Sequence, residues 1–264
     1  MRSATLAFLG LLAACGGGGG GDGDGGPADA ATSDGPPGSD IDAPLATSIT
    51  RSGRVASYDP GMPPNMQPPL AGAEVCDAAA AGDCATTDAE GMYSITIGAN
   101  DPHAQMTFTA TGHMPVLYLR ATGNVDDSLG LVMIGNTTAD SFFTDCGATY
   151  PETTQAAVVL AGFEQTGPST IVPLDGATAS AGSGVGPCYM DGVFTQGGTM
   201  TSSAGLGGAA FANIPVAGGM FEFTVTKSAL TCVSSANSWD GAGANEISVP
   251  VVAGRYTQVQ VVCF

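Results

Sequence analysis

Met92-Tyr93-Ser94-Ile95-Thr96-Ile97 and Met106-Thr107-Phe108-Thr109-Ala110 alternate apolar with small polar side chains. Successive side chains of a strand point to opposite faces of its sheet, so a period of two predicts strands with one buried and one wet face. Asp88-Ala89-Glu90-Gly91 reads as a tight turn before the first run, with Gly91 free to take positive φ. Outward from these runs the same grammar repeats. Strands are predicted over Ile49 to Ser57, Leu70 to Cys76, Asp83 to Thr87, Val116 to Arg120 and Leu129 to Ile134. Tyr58-Asp59-Pro60-Gly61-Met62-Pro63-Pro64 is an irregular loop, because its prolines cannot serve a central ladder.

A second pass follows. Ala156 to Ala161, Leu174 to Ala179, Tyr189 to Thr195, Ala209 to Ile214, Phe221 to Thr226, Leu230 to Ser234 and Tyr256 to Val262 are the expected strands. Pro168 lies in a loop between the first two of these. Between the passes, Thr137 or Thr138 is placed to cap a short helix through Ala139, Phe142 and Phe143, with Gly147 to end it. The passes also share a phrase in register. Pro69-Leu70-Ala71-Gly72-Ala73-Glu74-Val75 matches Pro173-Leu174-Asp175-Gly176-Ala177-Thr178-Ala179.

The order Gly53-Arg54-Val55, then Pro69 to Val75, then Thr87-Asp88-Ala89-Glu90-Gly91-Met92-Tyr93-Ser94-Ile95 resembles the carboxypeptidase regulatory-like domain. The resemblance covers residues 49–124 well and 154–264 less well. In the second copy Ser202-Ser203-Ala204-Gly205-Leu206-Gly207-Gly208 is a longer turn, and Phe211 replaces the tyrosine. What it implies is an all-β chain of two tandem seven-stranded Greek-key sandwiches of transthyretin-like or Ig-like type. Such modules usually carry no peptidase activity; they stabilise or present a ligand, and structurally similar folds bind sugars. The expected domains are 49–135, a helical connector at 136–153, and a divergent second sandwich at 154–264.

The chain opens on Met1-Arg2-Ser3-Ala4-Thr5, an apolar run from Leu6 to Ala14, and Cys15. A basic head, a short apolar stretch and small residues before a cut read as a secretory signal over 1–14. The apolar run is well short of the ~20 residues a permanent membrane helix needs. Leu12-Ala13-Ala14-Cys15 resembles the lipobox of bacterial lipoproteins, which implies lipid attachment at Cys15 and removal of the peptide before it. Residues 15–48, rich in Gly, Asp and Pro, read as a disordered acidic tether. Gly16 is not the aspartate that in some bacteria retains lipoproteins at the inner membrane, so an outer-membrane, extracytoplasmic location is expected.

The sequence holds 7 cysteines. With Cys15 assigned to lipid, Cys76, Cys84, Cys146, Cys188, Cys232 and Cys263 remain for disulfides in an oxidising compartment. Six cysteines admit fifteen pairings. Proximity across a tight turn selects Cys76 with Cys84; the others are expected to pair as Cys146 with Cys188 and Cys232 with Cys263.

Six basic residues against 24 acidic ones give a formal charge of −18. Such a surface repels nucleic-acid phosphates and anionic lipid heads, so neither nucleic acid nor peripheral lipid binding is expected. The expected contacts are the membrane through the lipid, and a polysaccharide or an envelope protein.

Candidate chemistry is sparse. His103 and His113 have no acidic neighbour at triad-like spacing, and neither HExxH, GxSxG nor GxxxxGK[ST] occurs. Gly205-Leu206-Gly207-Gly208-Ala209-Ala210 fits GxGxxA but lacks the βαβ frame, so it reads as a turn into a strand. Asp22-Gly23-Asp24-Gly25 lacks the twelfth-position glutamate of a calcium loop. Lys227, the single lysine, reads as a snorkelling strand-end residue. No catalytic residue, metal site or cofactor is assigned. Asp126-Asp127, and Asp240 with Glu246, are calcium candidates weighed against ordinary solvated loop acids. Trp239 sits in a polar, glycine-rich loop with Asn237 and Asp240. Either its indole is offered to a sugar ring, with Asn237 and Asp240 binding hydroxyls, or it folds back to anchor the loop.

Overall fold

A computed structural model describes residues 48–62, 66–79, 82–98, 105–119, 127–149, 154–168, 170–234 and 239–264. The first half runs β1 (Ser48–Ser57), β2 (Glu74–Asp77), β3 (Cys84–Thr86), β4 (Met92–Gly98), β5 (Gln105–Thr109), β6 (Val116–Leu119) and β7 (Asp127–Met133). Helix α1 (Asn136–Asp145) follows. The second half runs β8 (Gln155–Gly167), β9 (Thr170–Pro173), β10 (Thr178–Ala181), β11 (Val185–Gly192), β12 (Thr195–Gln196), β13 (Ala209–Pro215), β14 (Met220–Thr226), β15 (Cys232–Ser234), β16 (Glu246–Pro250) and β17 (Tyr256–Cys263). The described residues are all-β with one short helix, as the patterning predicts.

The halves repeat one topology. β1 pairs antiparallel with β4 and parallel with β7; β8 pairs antiparallel with β13 and parallel with β17. β5 lies antiparallel between β2 and β6, as β14 does between β10 and β16. The matched phrase of the sequence lands on matching hydrogen bonds. Val55 N–H donates to Gly91 O, Leu70 N–H to Val55 O and Gly72 N–H to Thr87 O. In the second half Gly162 N–H donates to Gly207 O, Leu174 N–H to Gly162 O and Gly176 N–H to Thr201 O. Thr87 Oγ1 accepts from Ala73 N–H at 2.8 Å, and Thr201 Oγ1 from Ala177 N–H at 2.9 Å. Gly91 (φ +75°) and Gly207 (φ +66°) pass so close to the neighbouring main chain that neither has room for a Cβ.

Sheet β4-β1-β7 covers one face of β3-β2-β5-β6, and β10-β14-β16 covers one face of β13-β8-β17. The two sandwiches share a sheet. Tyr256 of β17 stands opposite Ala157 of β8 on one side and Val116 of β6 on the other, both pairings parallel. The resulting sheet runs β12-β11-β13-β8-β17-β6-β5-β2-β3, with β15 on β17 and β9 on β8. The described residues belong to one compact unit within 46–264. The expected boundary between 49–135 and 154–264 therefore separates two copies of a topology that are sewn together, not detachable bodies.

Sharing explains why β6 and the first half of β8 do not alternate. Val116 and Tyr118 of β6, with Ala157 and Val159 of β8, join a core with Val75, Tyr93, Ile95 and Phe108. Leu117, Leu119, Ala156, Val158 and Leu160 point the other way, into a core with Phe211, Phe221, Phe223 and Ile247. A strand buried on both faces needs a continuous apolar run. The aromatic rings meet at favourable separations: Tyr93 and Phe108 edge to face at 5.7 Å, Phe211 and Phe221 at 5.3 Å.

Three local expectations need correction. Leu70 to Ala73 is a turn instead of the start of β2, because Gly72 takes φ +75°. The helix starts earlier than a Thr137 or Thr138 cap allows: Gly135 is its N-cap, and Asn136 N–H donates to Gly112 O. β16 (Glu246–Pro250) was not among the expected strands. Gly147 does end the helix, in a Schellman arrangement: its N–H bonds Thr144 O, and Ala148 N–H bonds Phe143 O. Helix α1 buries Ala139, Phe142 and Phe143 in the first core.

Candidate functional site

The six paired cysteines fix the frame of the site. Cys76 bonds Cys84, Cys146 bonds Cys188 and Cys232 bonds Cys263, with Cα separations of 4.1, 5.7 and 4.0 Å. The first and third join residues directly opposite on neighbouring strands. The second ties the end of α1 to β11, closing a separation of 42 residues. Glu74 lies beside the Cys76–Cys84 bridge, within reach of a shared ion. With both sulfurs spent on each other, that trio offers a metal one carboxylate. Cys15 lies outside the described residues.

Trp239 does not face solvent. It is 7% exposed and packs in the second core with Phe221, Ile247 and Val249. Its backbone N–H donates to Ser234 Oγ at 2.9 Å, and its carbonyl accepts from Ser248 N–H at 2.8 Å. Asp240 Oδ1 accepts from both the N–H and the Oγ of Ser234, at 2.7 and 2.9 Å. The loop thus seals the outer edge of β16 and leaves no indole face for a sugar; the stacking role for Trp239 is excluded. Asn237 lies outside the described residues. Glu246 Oε2 accepts from Gly243 N–H at 2.6 Å, so this carboxylate and that of Asp240 serve to fold the loop. Asp126 and His103 lie outside the described residues, as does the side chain of Asp127.

One pairing escaped the sequence. Ser57 at the end of β1 and His113, 56 positions later, meet through Oγ and Nε2 at 2.8 Å. His113 Nδ1 is 3.0 Å from Thr111 O. With the proton on Nδ1 facing that carbonyl, Nε2 accepts from the serine, which is the geometry of a general base beside a hydroxyl nucleophile. Neither residue lines the surface depressions on the outer side of β10-β14-β16. The pair ties the end of β1 to the loop before β6. Nearby, Tyr58 donates its hydroxyl to Val193 O at 2.7 Å and sets its ring on the edge of Phe194. Burial, then the charge of Asp59, pushes the Tyr58 phenol above its ordinary value. Lys227 forms an ion pair with Glu164 of β8.

The two depressions share one wall, on the outer side of β10-β14-β16. One, of about 250 Å³, is lined by Ser180, Ala181, Gly182, Glu222, Phe223, Thr224 and Glu246. The other, of about 370 Å³, is lined by Gly182, Ser183, Met220, Phe221 and Glu222. Phe221 and Phe223 are buried, so what they contribute to these walls is main chain. Glu222 and Glu246 make the surface acidic, and no cation stands among the lining residues.

No protein-family model matches the chain, and no curated protein does. Among solved structures, a cohesin–X-dockerin complex from Acetivibrio cellulolyticus overlaps it at 18% identity and a TM-score of 0.28. That match covers 33% of this chain and 58% of the other, less than two thirds of its length. A minor pilin of Streptococcus agalactiae overlaps at 10% identity over 81% of this chain and 95% of its own, with a TM-score of 0.28. A streptococcal ancillary pilin does so at 11% identity, over 82% and 68%, with a TM-score of 0.25. At such TM-scores these overlaps carry nothing about activity or partners.

Proposed function

We propose that the protein is an extracytoplasmic lipoprotein, held to the outer membrane by lipid on Cys15, whose double sandwich is a non-catalytic structural or adhesion module. The observation that carries this reading is cysteine parity. Six cysteines pair among themselves, and the seventh stands directly after a short apolar leader and before a glycine run. Disulfides belong to oxidising compartments. Among the described residues no helix is long and apolar enough to cross a membrane.

The hydrogen-bond pattern repeated around Thr87 and Thr201 supports kinship with tandem carboxypeptidase regulatory-like domains, in which such modules brace or present a ligand. The Ser57–His113 pair, held at both ring nitrogens, acts in this account as a latch between β1 and the loop before β6. The partner is an envelope protein instead of a sugar, because the aromatic platform a sugar needs is buried with Trp239.

Cell fractionation tests the tether. Wild type should sediment with membranes and dissolve with detergent, whereas Cys15→Ala should move to the soluble extracytoplasmic fraction. A Cys15→Ala protein that still sediments with membranes overturns the reading.

A further inference from the structure

We infer that the edge of β14 from Met220 to Glu222 is an open slot in its sheet that takes up an extended, basic segment of another polypeptide as an added strand. The two halves of the chain differ at the position of Glu222: its counterpart Gln105 is paired in the first half, whereas Glu222 borders a depression in the second. In the first half β2 pairs with β5 from Thr109 to Met106, and its continuation still pairs: Ala78 N–H donates to Gln105 O at 2.8 Å. In the second half β10 follows β14 only from Thr226 to Phe223, where Ala181 is the last paired residue. The chain then leaves through Gly182, Ser183 and Gly184 to become β11, which pairs with β13 in the other sheet. β14 itself continues to Met220, paired with β16 on its other side as far as Pro250.

The backbone groups at issue follow from strand alternation. Val225 N–H donates to Asn245 O, on the β16 side. Phe223 and Phe221 therefore also direct their N–H and C=O toward β16, while Thr224, Glu222 and Met220 direct theirs toward β10. For Thr224 the partner is Ser180; for Glu222 and Met220 it is the depression lined by Gly182 and Ser183.

Other exposed edges of this sheet are blocked, which sets the slot apart. The outer edge of β10 is plugged by Tyr189, whose hydroxyl lies 2.7 Å from Ala179 N and 3.3 Å from Ala179 O. In the first half β3 occupies that position, opposite the equivalent Val75. The outer edge of β16 is sealed by the Trp239–Gly241 loop, through Ser248 N–H to Trp239 O and Gly241 N–H to Glu246 O. Proteins ordinarily cover such edges because an uncovered one templates pairing with another chain. Main-chain bonds then supply affinity and side-chain chemistry supplies choice.

Charge names the occupant. A strand continuing the line of β10 places alternate side chains on the outer face, beside Glu222 and with Glu246 one strand further on. The partner is therefore a segment with Lys or Arg at every second position and small apolar residues between. A second copy of this chain does not fit: its sequence has 6 basic residues against 24 acidic ones.

The proposal deepens the reading of an interaction module and rests on it for the extracytoplasmic setting of the partner; the assay below is blind to the lipid tether, so the two fail separately. The probe is acetyl-Lys-Val-Lys-Val-Lys-amide, added to the purified full-length protein and followed by hydrogen exchange over residues 219–223. Exchange there should slow, while the edge of β10 should not change. The same peptide N-methylated at its lysine amides keeps the charge but lacks the donors that face β14, and should give no slowing. E222K alters an exposed side chain and leaves the ladder to β16 in place; it should weaken the lysine peptide about threefold to tenfold. Absence of protection at 219–223 up to about 5 mM peptide, equal protection by the N-methylated peptide, or unchanged affinity in E222K would each overturn the slot.

Discussion

Gly72 and Gly91 share the same φ of +75°, yet alanine should be tolerated at one and not at the other. A Cβ on Gly72 meets open space. Gly72→Ala should therefore cost only the left-handed backbone conformation, about 1 kcal/mol. A Cβ on Gly91 would stand 3.1 Å from Leu70 N and closer still to Val55 O, inside the roughly 3.5 Å of ordinary contact. Both neighbours are main chain and both are engaged, Val55 N–H to Gly91 O at 2.8 Å and Leu70 N–H to Val55 O at 3.0 Å. Relief of the clash must loosen two backbone hydrogen bonds worth about 1 kcal/mol each, so Gly91→Ala should cost about 3 kcal/mol. The second half supplies a replicate. Gly176 has only the flexible Met200 Sδ nearby, at 3.9 Å, whereas a Cβ on Gly207 would lie 2.7 Å from Leu174 N. Thermal unfolding followed by circular dichroism, with disulfides intact, should show drops of about 3 °C for G72A and G176A and about 9 °C for G91A and G207A. Equal shifts for G72A and G91A would refute the close approach of Gly91 to β1. Separate transitions for G91A and G207A would refute the cooperative joining of the halves through β17.

Two further outcomes follow from the frame. Replacing Cys146 and Cys188 together by serine should cost about 4 kcal/mol, against about 2.5 kcal/mol for Cys76 and Cys84, because the longer loop loses more closure entropy; equal midpoints in urea for the two double variants would contradict this. Tyr58 should give an alkaline limb. Its phenol titrates above the ordinary 10.0 when folded, because of burial and then Asp59. The stability it contributes is thus complete below the unfolded value and is lost as pH rises through the folded one. Tyr58→Phe should flatten the fall in stability above about pH 10; an unchanged slope would show that the phenol is not held in this way.

The fold was legible along the longer strands that have one wet face. Met92–Ile97 and Phe221–Thr226 alternate, and both are strands over those residues. The cysteine pairs followed from short separations and a plain assignment of the remainder. Glu246–Pro250 was not legible: its alternation lasts four residues in a glycine-rich setting, and its partner β14 supplies the rest of the signal only in three dimensions. The same loop left two readings of Trp239 open, an indole offered to a sugar or one folded back; its polar neighbourhood in sequence is here a lid over Ile247 and Val249. Ser57 with His113 depends on two loops meeting, and no spacing rule encodes that. The slot beside Met220–Glu222 arises where Gly182–Gly184 cross between sheets, so it exists only as a difference between two copies of one topology.

The tether to Cys15 is most directly tested by the intact mass of the N-terminal proteolytic peptide recovered from the membrane fraction. The expected peptide begins at Cys15, lacks residues 1–14, and carries the added mass of a diacylglyceryl group. A peptide that retains residues 1–14, or one with an unmodified Cys15 thiol, would contradict it.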